Sequence, residues 1–303
     1  MKKVITVAGA TGNLGERIIQ ELIAQGAEVR AIVRESSDKA KTKNLQQMGV
    51  KVFLINTLDV KEVTKACEGA TCVVSALSGL RDVIIDAQKV LLDAAVAARV
   101  PRFIPSDYSL DFRKFTDGEN RNLDLRRVFH TYLDTQPIAA TTIFNGAFAD
   151  MLTSEMPMIL FDKKRILYWG AAGHNMSFTT IADVARFTAH AALDDTTPRF
   201  LSIAGDQISP RGIKNVMSNL TGQNFGFFHP GGQGLLGFII KIARFIAPAK
   251  NDLYPAWQGM QYMHNMIDPR SDMPTLDNNR YPSLRWTTVK DVLTAHQNAA
   301  KGK

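Results

Sequence analysis

Residues 4–15 have the sequence Val4-Ile5-Thr6-Val7-Ala8-Gly9-Ala10-Thr11-Gly12-Asn13-Leu14-Gly15. A short apolar run enters three glycines spaced Gly-x-x-Gly-x-x-Gly, and a helical pattern of apolar residues then continues to Gly26. A strand, a glycine turn and a helix in this order let the backbone approach a pyrophosphate, and the helix N-terminus offers N–H groups to it. The stretch predicts a dinucleotide-binding unit whose cofactor-binding residues are Gly9, Thr11, Gly12, Asn13, Leu14 and Gly15.

Strands and helices continue to alternate after this unit. The predicted strands are Glu28–Val33, Val50–Ile55, Ala70–Ala76, Pro101–Ser106 and Ala139–Phe144. The predicted helices are 38–48, Asp59–Glu68, Asp82–Arg99, Asn122–Asp134 and Asp183–Leu193, the last with Asp183 as its N-cap. Alternation at this pace predicts an α/β fold with a doubly wound parallel sheet, that is, a Rossmann core.

The pattern changes in the C-terminal part of the chain. A hairpin is predicted over 159–169, and from about residue 205 glycine, proline and methionine increase while the alternation stops. We therefore expect a binding domain over 1–150, to which 178–204 returns, and a smaller C-terminal substrate lobe built from 151–177 and 205–303. The segment Phe225–Phe238 lines a pocket, forms lobe core or serves as a dimer surface, and Gly237–Ala247 is expected to be a buried or lid helix rather than a membrane-bound one.

Composition narrows the classes of function. The 303 residues carry a net charge of +7, but the basic residues are scattered, which suits an anionic cofactor better than direct binding of nucleic acid. The two cysteines, Cys67 and Cys72, lack metal-ligand spacing, so we expect no metal site and a reduced, cytoplasmic compartment. The apolar runs fall short of the roughly 20 residues that a membrane span needs.

Arg34 ends the second predicted strand, at the position where NAD-binding proteins place an acidic residue on the ribose. Together with the lysines that follow, Lys39 among them, Arg34 can hold a 2′-phosphate. We therefore predict NADP(H) as the cofactor. The alternative is a basic surface loop, which the neighbouring Glu35 keeps open.

Several polar residues follow the ends of predicted strands, and ligands of such sheets bind at the carboxyl ends of the strands. This rule predicts further cofactor contacts at Ser75, Ala76 and Leu77 after the fourth strand, at Ser106 after the fifth and at Asn145 after the sixth. Substrate contacts are predicted at Tyr108, Gly146 and Phe148.

The sequence resembles the NmrA-like and isoflavone-reductase-like branch of the atypical short-chain dehydrogenases. The resemblance covers about residues 4–193 and rests on Gly9–Gly15, Arg34, Gln88–Ser109, Thr141–Phe148 and Phe178–Ala185. It implies a Rossmann core with a smaller substrate lobe, NADP(H), and a small aromatic, quinone-like, enone or carbonyl substrate. It leaves open a homodimer or a regulatory protein partner.

The sequence departs from this branch at the position of its catalytic lysine, which Arg126 occupies, and the Tyr-x-x-x-Lys pair of the wider superfamily is missing. Arg126 cannot exchange a proton near neutral pH, but it can stabilise an oxyanion or a phosphate. His130 lies four residues later on the same helix face and can supply a proton. Both are candidate catalytic residues; a solvated arginine and a packing histidine are the alternatives.

Two classes of function remain. The first is an NADPH-dependent reductase acting on a small molecule. The second is a non-catalytic NADP(H) redox sensor that acts through a protein partner, which the loss of the lysine favours. A nucleotide-sugar epimerase is less favoured, because that chemistry uses Tyr-x-x-x-Lys.

Overall fold

The structure is a computed structural model that describes residues 2–55, 59–154 and 156–301. The chain forms two compact units, and each is assembled from three separate stretches of sequence. The first unit comprises Met1–Tyr108, Asn122–Phe144 and Val184–Leu201, and the second comprises Ser109–Arg121, Asn145–Asp183 and Ser202–Lys303. The domain division that the sequence predicts, with its boundary at residue 150, remains a prediction.

The strands and helices have the following bounds in chain order. The strands are β1 Val4–Ala8, β2 Glu28–Arg34, β3 Lys51–Ile55, β4 Cys72–Ser75, β5 Arg102–Ile104, β6 Ala139–Ala140, β7 Thr142–Phe144, β8 Ala147–Phe148, β9 Ile159–Leu160, β10 Arg165–Leu167, β11 Met176–Thr179, β12 Phe200–Ser202, β13 Asp206–Ile208 and β14 Gly226–Phe228. The α-helices are α1 Asn13–Ala24, α2 Lys39–Gln47, α3 Val60–Cys67, α4 Gln88–Ala97, α5 Arg121–Leu133, α6 Ile181–Leu193, α7 Pro210–Thr221, α8 Gln233–Ile246, α9 Ala256–Met266 and α10 Val289–Lys301. A π-helical turn, Asp82–Ala87, leads into α4.

Six strands of the first unit form one parallel sheet in the order β3-β2-β1-β4-β5-β6. The central strand is β1, in which Ile5 pairs with Val29 of β2 on one side and with Cys72 of β4 on the other. The strand order reverses at β1, and open α/β sheets bind ligands outside the carboxyl ends of their strands at such a point. The predicted doubly wound α/β fold is confirmed.

Helices α3, α4 and α5 bury one face of this sheet. Val63, Leu92 and Phe129, one from each helix, pack with Val73 of β4 and Phe103 of β5 in a single apolar cluster, and all five side chains are buried. A strand of a parallel sheet that helices cover has no face that water reaches. This is why β4 is apolar without alternation.

The last stretch of the first unit is tied to the N-terminal ends of two strands. Arg102, at the start of β5, is buried and donates from NH1 to the carbonyl oxygen of Ala191 at 3.0 Å. Lys3, just before β1, donates to the carbonyl oxygen of Leu193 at 2.6 Å and pairs with Asp195. Ala191 and Leu193 belong to the last turn of α6, whose carbonyls have no partner within the helix.

The strand predicted over Ala139–Phe144 is two strands, and that prediction was wrong. β6 pairs with β5, whereas β7 pairs with β12, whose first two residues belong to the same unit. The change of partner falls between adjacent residues: the N–H of Thr141 donates to Phe103 and the N–H of Thr142 donates to Arg199. The apolar pattern of residues 139–144 is continuous. Only the pairing of β7 with β12, a segment far along the chain, divides it into two strands.

The N-cap predicted for α6 was also wrong. The helix begins at Ile181, and the N–H of Asp183 donates to the hydroxyl of Thr180 at 3.1 Å, so Thr180 caps the first turn. The carboxylate of Asp183 instead accepts the N–H of Thr287 at 2.9 Å, a contact within the second unit.

The second unit contains two three-stranded sheets, β14-β10-β9 and β13-β11-β8, together with α7 to α10. β9 and β10 pair antiparallel, which confirms the predicted hairpin. α8 packs against α9. A buried or lid helix was predicted over Gly237–Ala247; complete burial is wrong, because Phe238, Ile242 and Phe245 are exposed on one face, and the lid alternative stays a prediction.

None of the helices in the described ranges combines the length and the apolarity that crossing a bilayer requires. Within the same ranges, His, Cys, Asp and Glu side chains form no group of three that could hold a metal ion. Cys67 and Cys72 are unbonded and buried, and burial raises the pKa of each thiol to about 12, which makes both unreactive.

Candidate functional site

The glycine loop follows β1, and two of its glycines are required by close backbone contacts. Gly9 has a φ of +79°, and a Cβ there would lie 2.4 Å from the carbonyl oxygen of Ala76. A Cβ on Gly15 would lie 2.2 Å from the carbonyl oxygen of Gly9. The first helix therefore packs directly on the loop, and the loop packs on the residue that follows β4.

Gly12 is the N-cap of α1 and has extended backbone angles, φ −81° and ψ 160°. Its carbonyl accepts the N–H of Glu16 at 2.9 Å, which begins the helix. Glycine has no side chain that could bind the first N–H groups of the helix. These groups and the positive end of the helix dipole make the site suitable for a phosphate.

A basic segment lies beside the glycine loop. Arg34 is the exposed last residue of β2, and its carbonyl accepts the N–H of Ser37 in the turn towards α2. Lys41, on the first turn of α2, donates from Nζ to the carbonyl oxygen of Thr11 at 3.1 Å. Lys39 is exposed at the start of α2. Among the lysines that follow Arg34 in the sequence, Lys41 is thus the one whose contact with the glycine loop the structure shows.

The sequence also contains a signal for the start of α2, which is not part of the glycine motif. Asp38 caps α2 by accepting the N–H groups of Ala40 and Lys41. This cap defines the start of α2, and Lys41 lies on its first turn.

The residues after β4 and β5 meet at the same edge of the sheet. Ser75 is buried, and its hydroxyl has no hydrogen-bond partner among the described residues. The hydroxyl of Ser106 donates to the carbonyl oxygen of Leu77 at 2.6 Å, and its N–H donates to Gln88. Together with the contact of Gly9 with Ala76, these bonds bring the predicted residues of three strand ends into one arrangement.

Arg126 lies on α5 of the first unit and is half-buried. Its NH1 donates to the carbonyl oxygen of Asn122 at 2.8 Å, whereas its Nε is buried without a hydrogen-bond partner in the described part of the chain. Its charge also favours the ionised form of Asp107. Arg126 therefore has a donor that further binding could satisfy.

His130 is buried, and both of its ring nitrogens are engaged. Nε2 lies 2.6 Å from Oδ2 of Asp107, and Nδ1 lies 3.1 Å from NH2 of Arg199. A guanidinium can only donate, so in the neutral ring Nδ1 is the acceptor and the proton is on Nε2, facing Asp107. Thr142 donates its hydroxyl to the same carboxylate oxygen at 2.8 Å. This arrangement favours a packing role, and the catalytic role of His130 stays a prediction.

Asp107 is fully buried at the centre of these contacts. Burial acts to raise the pKa of its carboxyl, but His130, Arg126 and Thr142 outweigh burial, and the pKa lies below its ordinary value. Asp107 is thus a buried carboxylate that its neighbours keep ionised. Its neighbour Tyr108, a predicted substrate residue, is also buried, and burial raises the pKa of its hydroxyl.

The predicted residues Asn145, Gly146 and Phe148 belong to the second unit. Asn145 is buried; its N–H donates to Ser109, and its carbonyl accepts the hydroxyl of Thr179 at 2.7 Å. Gly146 has a φ of +67°, and a Cβ there would lie 2.2 Å from the carbonyl oxygen of Ser177. Phe148 is half-buried in β8.

The second unit also holds a buried amide cluster that the sequence analysis missed, formed by Asn120, Gln258 and Asn265. Asn120 donates to Oδ1 of Asn265 at 3.0 Å and accepts from Nε2 of Gln258 at 2.8 Å. Oε1 of Gln258 and Nδ2 of Asn265 have no partner in the described residues. The signal was present in α9, where Gln258, Gln261 and Asn265 recur at spacings of three and four residues on one helix face, and all three are buried.

Several known proteins to which this chain is similar are reductases. The model of the NmrA-like family matches residues 1–249. Pinoresinol reductase 1 of Arabidopsis thaliana is 25% identical over 210 residues, which are 65% of this chain and, at 66%, just under two thirds of that protein. The bifunctional pinoresinol-lariciresinol reductase of Forsythia intermedia is 22% identical over 320 residues, covering 96% of this chain and 98% of that protein.

A solved structure of AtPrR2 with NADP+ and (+)pinoresinol has the same fold. Its TM-score is 0.81 at 20% sequence identity, and the alignment covers 98% of this chain and 99% of the other. The cofactor predicted from Gly9–Gly15 and Arg34 agrees with the cofactor of that complex.

Proposed function

The chain belongs to the NmrA-like family, and we propose that it is an NADPH-dependent reductase of a small aromatic, quinone-like, enone or carbonyl compound. The observation that carries the proposal is the contact between Lys41 and Thr11, which joins a basic segment to the glycine loop. A 2′-phosphate distinguishes NADP(H) from NAD(H), and cations beside this loop suit it.

The residues present fit such a cofactor. A side chain at Gly9 or Gly15 would fill the space between the loop, α1 and the end of β4. The N-terminus of α1 suits the pyrophosphate, and Arg34 with Lys41 suits the 2′-phosphate. When bound, NADPH supplies the hydride, and the protein supplies position and electrostatics.

Arg126 has the role of stabilising negative charge on the substrate in this proposal. Its unpartnered Nε can donate to an oxygen on which charge develops, and its guanidinium remains charged throughout. The second unit would select the substrate. The donor of Asn265 and the acceptor of Gln258 have no partner among the described residues, so each can bind a polar group of water or of a ligand.

The central experiment is a screen of phenolic, quinone, enone and carbonyl compounds with NADPH, followed by absorbance of the reduced nicotinamide. Each phenol is paired with its analogue lacking the hydroxyl, which tests whether that group contributes to recognition. The alternative function is the NADP(H) sensor, which the absence of the family lysine favours. A sensor would give no turnover across the panel, but it would capture a protein partner differently in NADP+ and in NADPH.

We expect Arg34→Ala to weaken NADPH binding by about 1.5–3 kcal/mol, the contribution of a hydrogen bond to a charged group. NADH binding should change little, because NADH lacks the 2′-phosphate.

Lys41→Ala should weaken the binding of both cofactors, since Lys41 also holds Thr11. Fluorescence titration with each cofactor measures this, and exposed Lys43 on the same helix supplies the control, Lys43→Ala. Equal loss of NADH and NADPH affinity in Arg34→Ala would contradict the assignment.

Arg126→Ala should lower kcat about 100-fold, as loss of an oxyanion donor does, and change NADPH affinity much less. Arg126→Lys, which places a cation at the same position, should retain most of the activity. The control is Arg127→Ala, because Arg127 is the adjacent residue and pairs with Asp124 instead. Unchanged turnover in Arg126→Ala would remove this residue from the mechanism.

A further inference from the structure

Helix α8 carries an apolar face that is exposed. At about 100° per residue, one arc of about 100° holds Leu235, Phe238, Ile242, Phe245 and Ile246. All five are exposed, and the exposed fractions reach 59% for Phe238, 74% for Ile246 and 89% for Phe245. Single exposed apolar residues are common, but a continuous set on one helix marks an interaction surface.

The opposite side of α8 is fixed to the second unit, so its orientation is defined. Leu236 and Ile240 are buried, and the helix packs against α9. A Cβ on Gly237 would lie 3.4 Å from Nε2 of His264, which shows how close the two helices are. Nε1 of Trp257 donates to the carbonyl oxygen of Ala247 at 3.1 Å, just after the end of α8. The exposed arc therefore faces away from the helix that holds α8.

The charged residues that flank this arc in the sequence are all basic. Residues 207–251 contain no Asp or Glu, and their five basic residues include Lys241, Arg244 and Lys250. Lys241 and Lys250 are exposed, and Arg244 lies over the ring of Trp257, with Cζ 5.3 Å from the ring centroid. On the helix, Lys241 borders the apolar arc next to Phe245. An apolar arc bordered by cations is the pattern of a helix that lies in the interface of an anionic membrane.

We propose that α8 docks this protein on an anionic lipid surface, with Phe238, Phe245 and Ile246 in the acyl boundary and Lys241 and Lys250 on the headgroups. The net charge of +7 favours the same partner. A second copy of the chain fits less well. In a two-fold contact the same patch faces itself, so the basic residues of both copies would be brought together without a compensating acidic group in 207–251.

Vesicle sedimentation tests the proposal with the full chain. We expect binding to phosphatidylcholine vesicles that contain phosphatidylglycerol, and at least about tenfold weaker partitioning into pure phosphatidylcholine. The double variant Phe245→Ser, Ile246→Ser should lower partitioning at least about tenfold, because two exposed apolar groups no longer enter the bilayer. Leu54→Ser is the matched control; Leu54, on β3, is 51% exposed but lies outside α8, and its loss should have no effect.

The electrostatic part has its own test. Lys241→Gln with Lys250→Gln should weaken binding to the anionic vesicles about tenfold or more, and should leave the melting temperature unchanged, because both side chains are exposed. Absence of vesicle binding, or equal binding by the Phe245→Ser, Ile246→Ser variant, overturns the proposal. So does a concentration-dependent dimer in light scattering that this variant converts to a monomer, since the arc would then be a contact between copies.

Discussion

Gly15→Ala should lower the free energy of unfolding by about 3 kcal/mol and abolish NADPH binding. The new Cβ would lie 2.2 Å from the carbonyl oxygen of Gly9 and 2.8 Å from its carbonyl carbon, and both are backbone atoms that cannot rotate away. To remove the overlap, α1 must move away from the loop. This movement displaces the N–H groups that suit the phosphate.

The same substitution at another helical glycine should have the opposite sign. Gly259 lies inside α9, and a Cβ there would meet no atom within 4 Å. Gly259→Ala should therefore stabilise the protein by up to about 1 kcal/mol, because alanine is the better helix former. Thermal unfolding of both variants and NADPH titration of Gly15→Ala are the measurements. A Gly15→Ala protein that melts like the parent and binds NADPH would show that α1 does not rest on Gly9 as described.

Asp107→Ala should lower the free energy of unfolding by about 3–6 kcal/mol, because two buried hydrogen bonds to a charged group, worth about 1.5–3 kcal/mol each, are lost. The carboxylate is fully buried, and it binds His130 at 2.6 Å and Thr142 at 2.8 Å. Without it, the N–H of His130 and the hydroxyl of Thr142 lose a buried acceptor. Urea unfolding measures the loss, and Asp93→Ala, at a carboxylate that accepts from Tyr132 in a partly buried contact, is the milder control.

The same carboxylate predicts how stability depends on pH. Its pKa in the folded protein lies below the ordinary value of 3.8, so folding favours the ionised form. The contribution is complete above the unfolded-state pKa and is lost as the pH falls from about 4 towards the folded-state pKa. Asp107→Asn should therefore be less stable than the parent at neutral pH, and this difference should shrink below about pH 4. An unchanged difference between pH 6 and pH 3 would contradict the assignment.

His130→Ala separates a packing histidine from a catalytic one. If His130 serves only Asp107 and Arg199, the variant loses stability while the folded fraction keeps its turnover. Turnover that is abolished in His130→Ala at unchanged stability, together with unchanged turnover in Arg126→Ala, would make His130 rather than Arg126 the catalytic residue of α5.

The sequence predicted the features that depend on local pattern. The glycine spacing and the β–α alternation determine the central sheet, because a strand, a tight turn and a helix each have a short-range signature. The division of 139–144 was not predictable in this way, because Thr142 pairs with Arg199 only after folding. The prediction of Asp183 as the N-cap of α6 failed for a similar reason. Thr180 and Asp183 are both residue types that cap helices well, and in the folded chain Asp183 binds Thr287 whereas Thr180 caps the helix.

The same limit applies to the candidate site. The motif identified the glycine loop and Arg34, but the contact of Lys41 with Thr11 joins residues 30 positions apart and follows only from the folded chain. The amide cluster requires a loop residue, Asn120, to meet two residues of α9. The sequence did not indicate which face of α8 is buried, because the helix carries apolar side chains on most of its circumference. Which of them remain exposed is decided by the packing of α8 on α9.

The three-part composition of the first unit has a consequence for the order in which it can be made. Arg102 and Lys3 are synthesised early, but their partners on α6 and beyond, Ala191, Leu193 and Asp195, leave the ribosome much later. At roughly 5–20 residues per second, the nascent chain waits roughly 5–20 s between Tyr108 and Arg199. During that interval the buried guanidinium of Arg102 lacks its acceptors and β7 lacks the strand with which it pairs. The first unit therefore cannot complete these contacts until translation has passed Leu201.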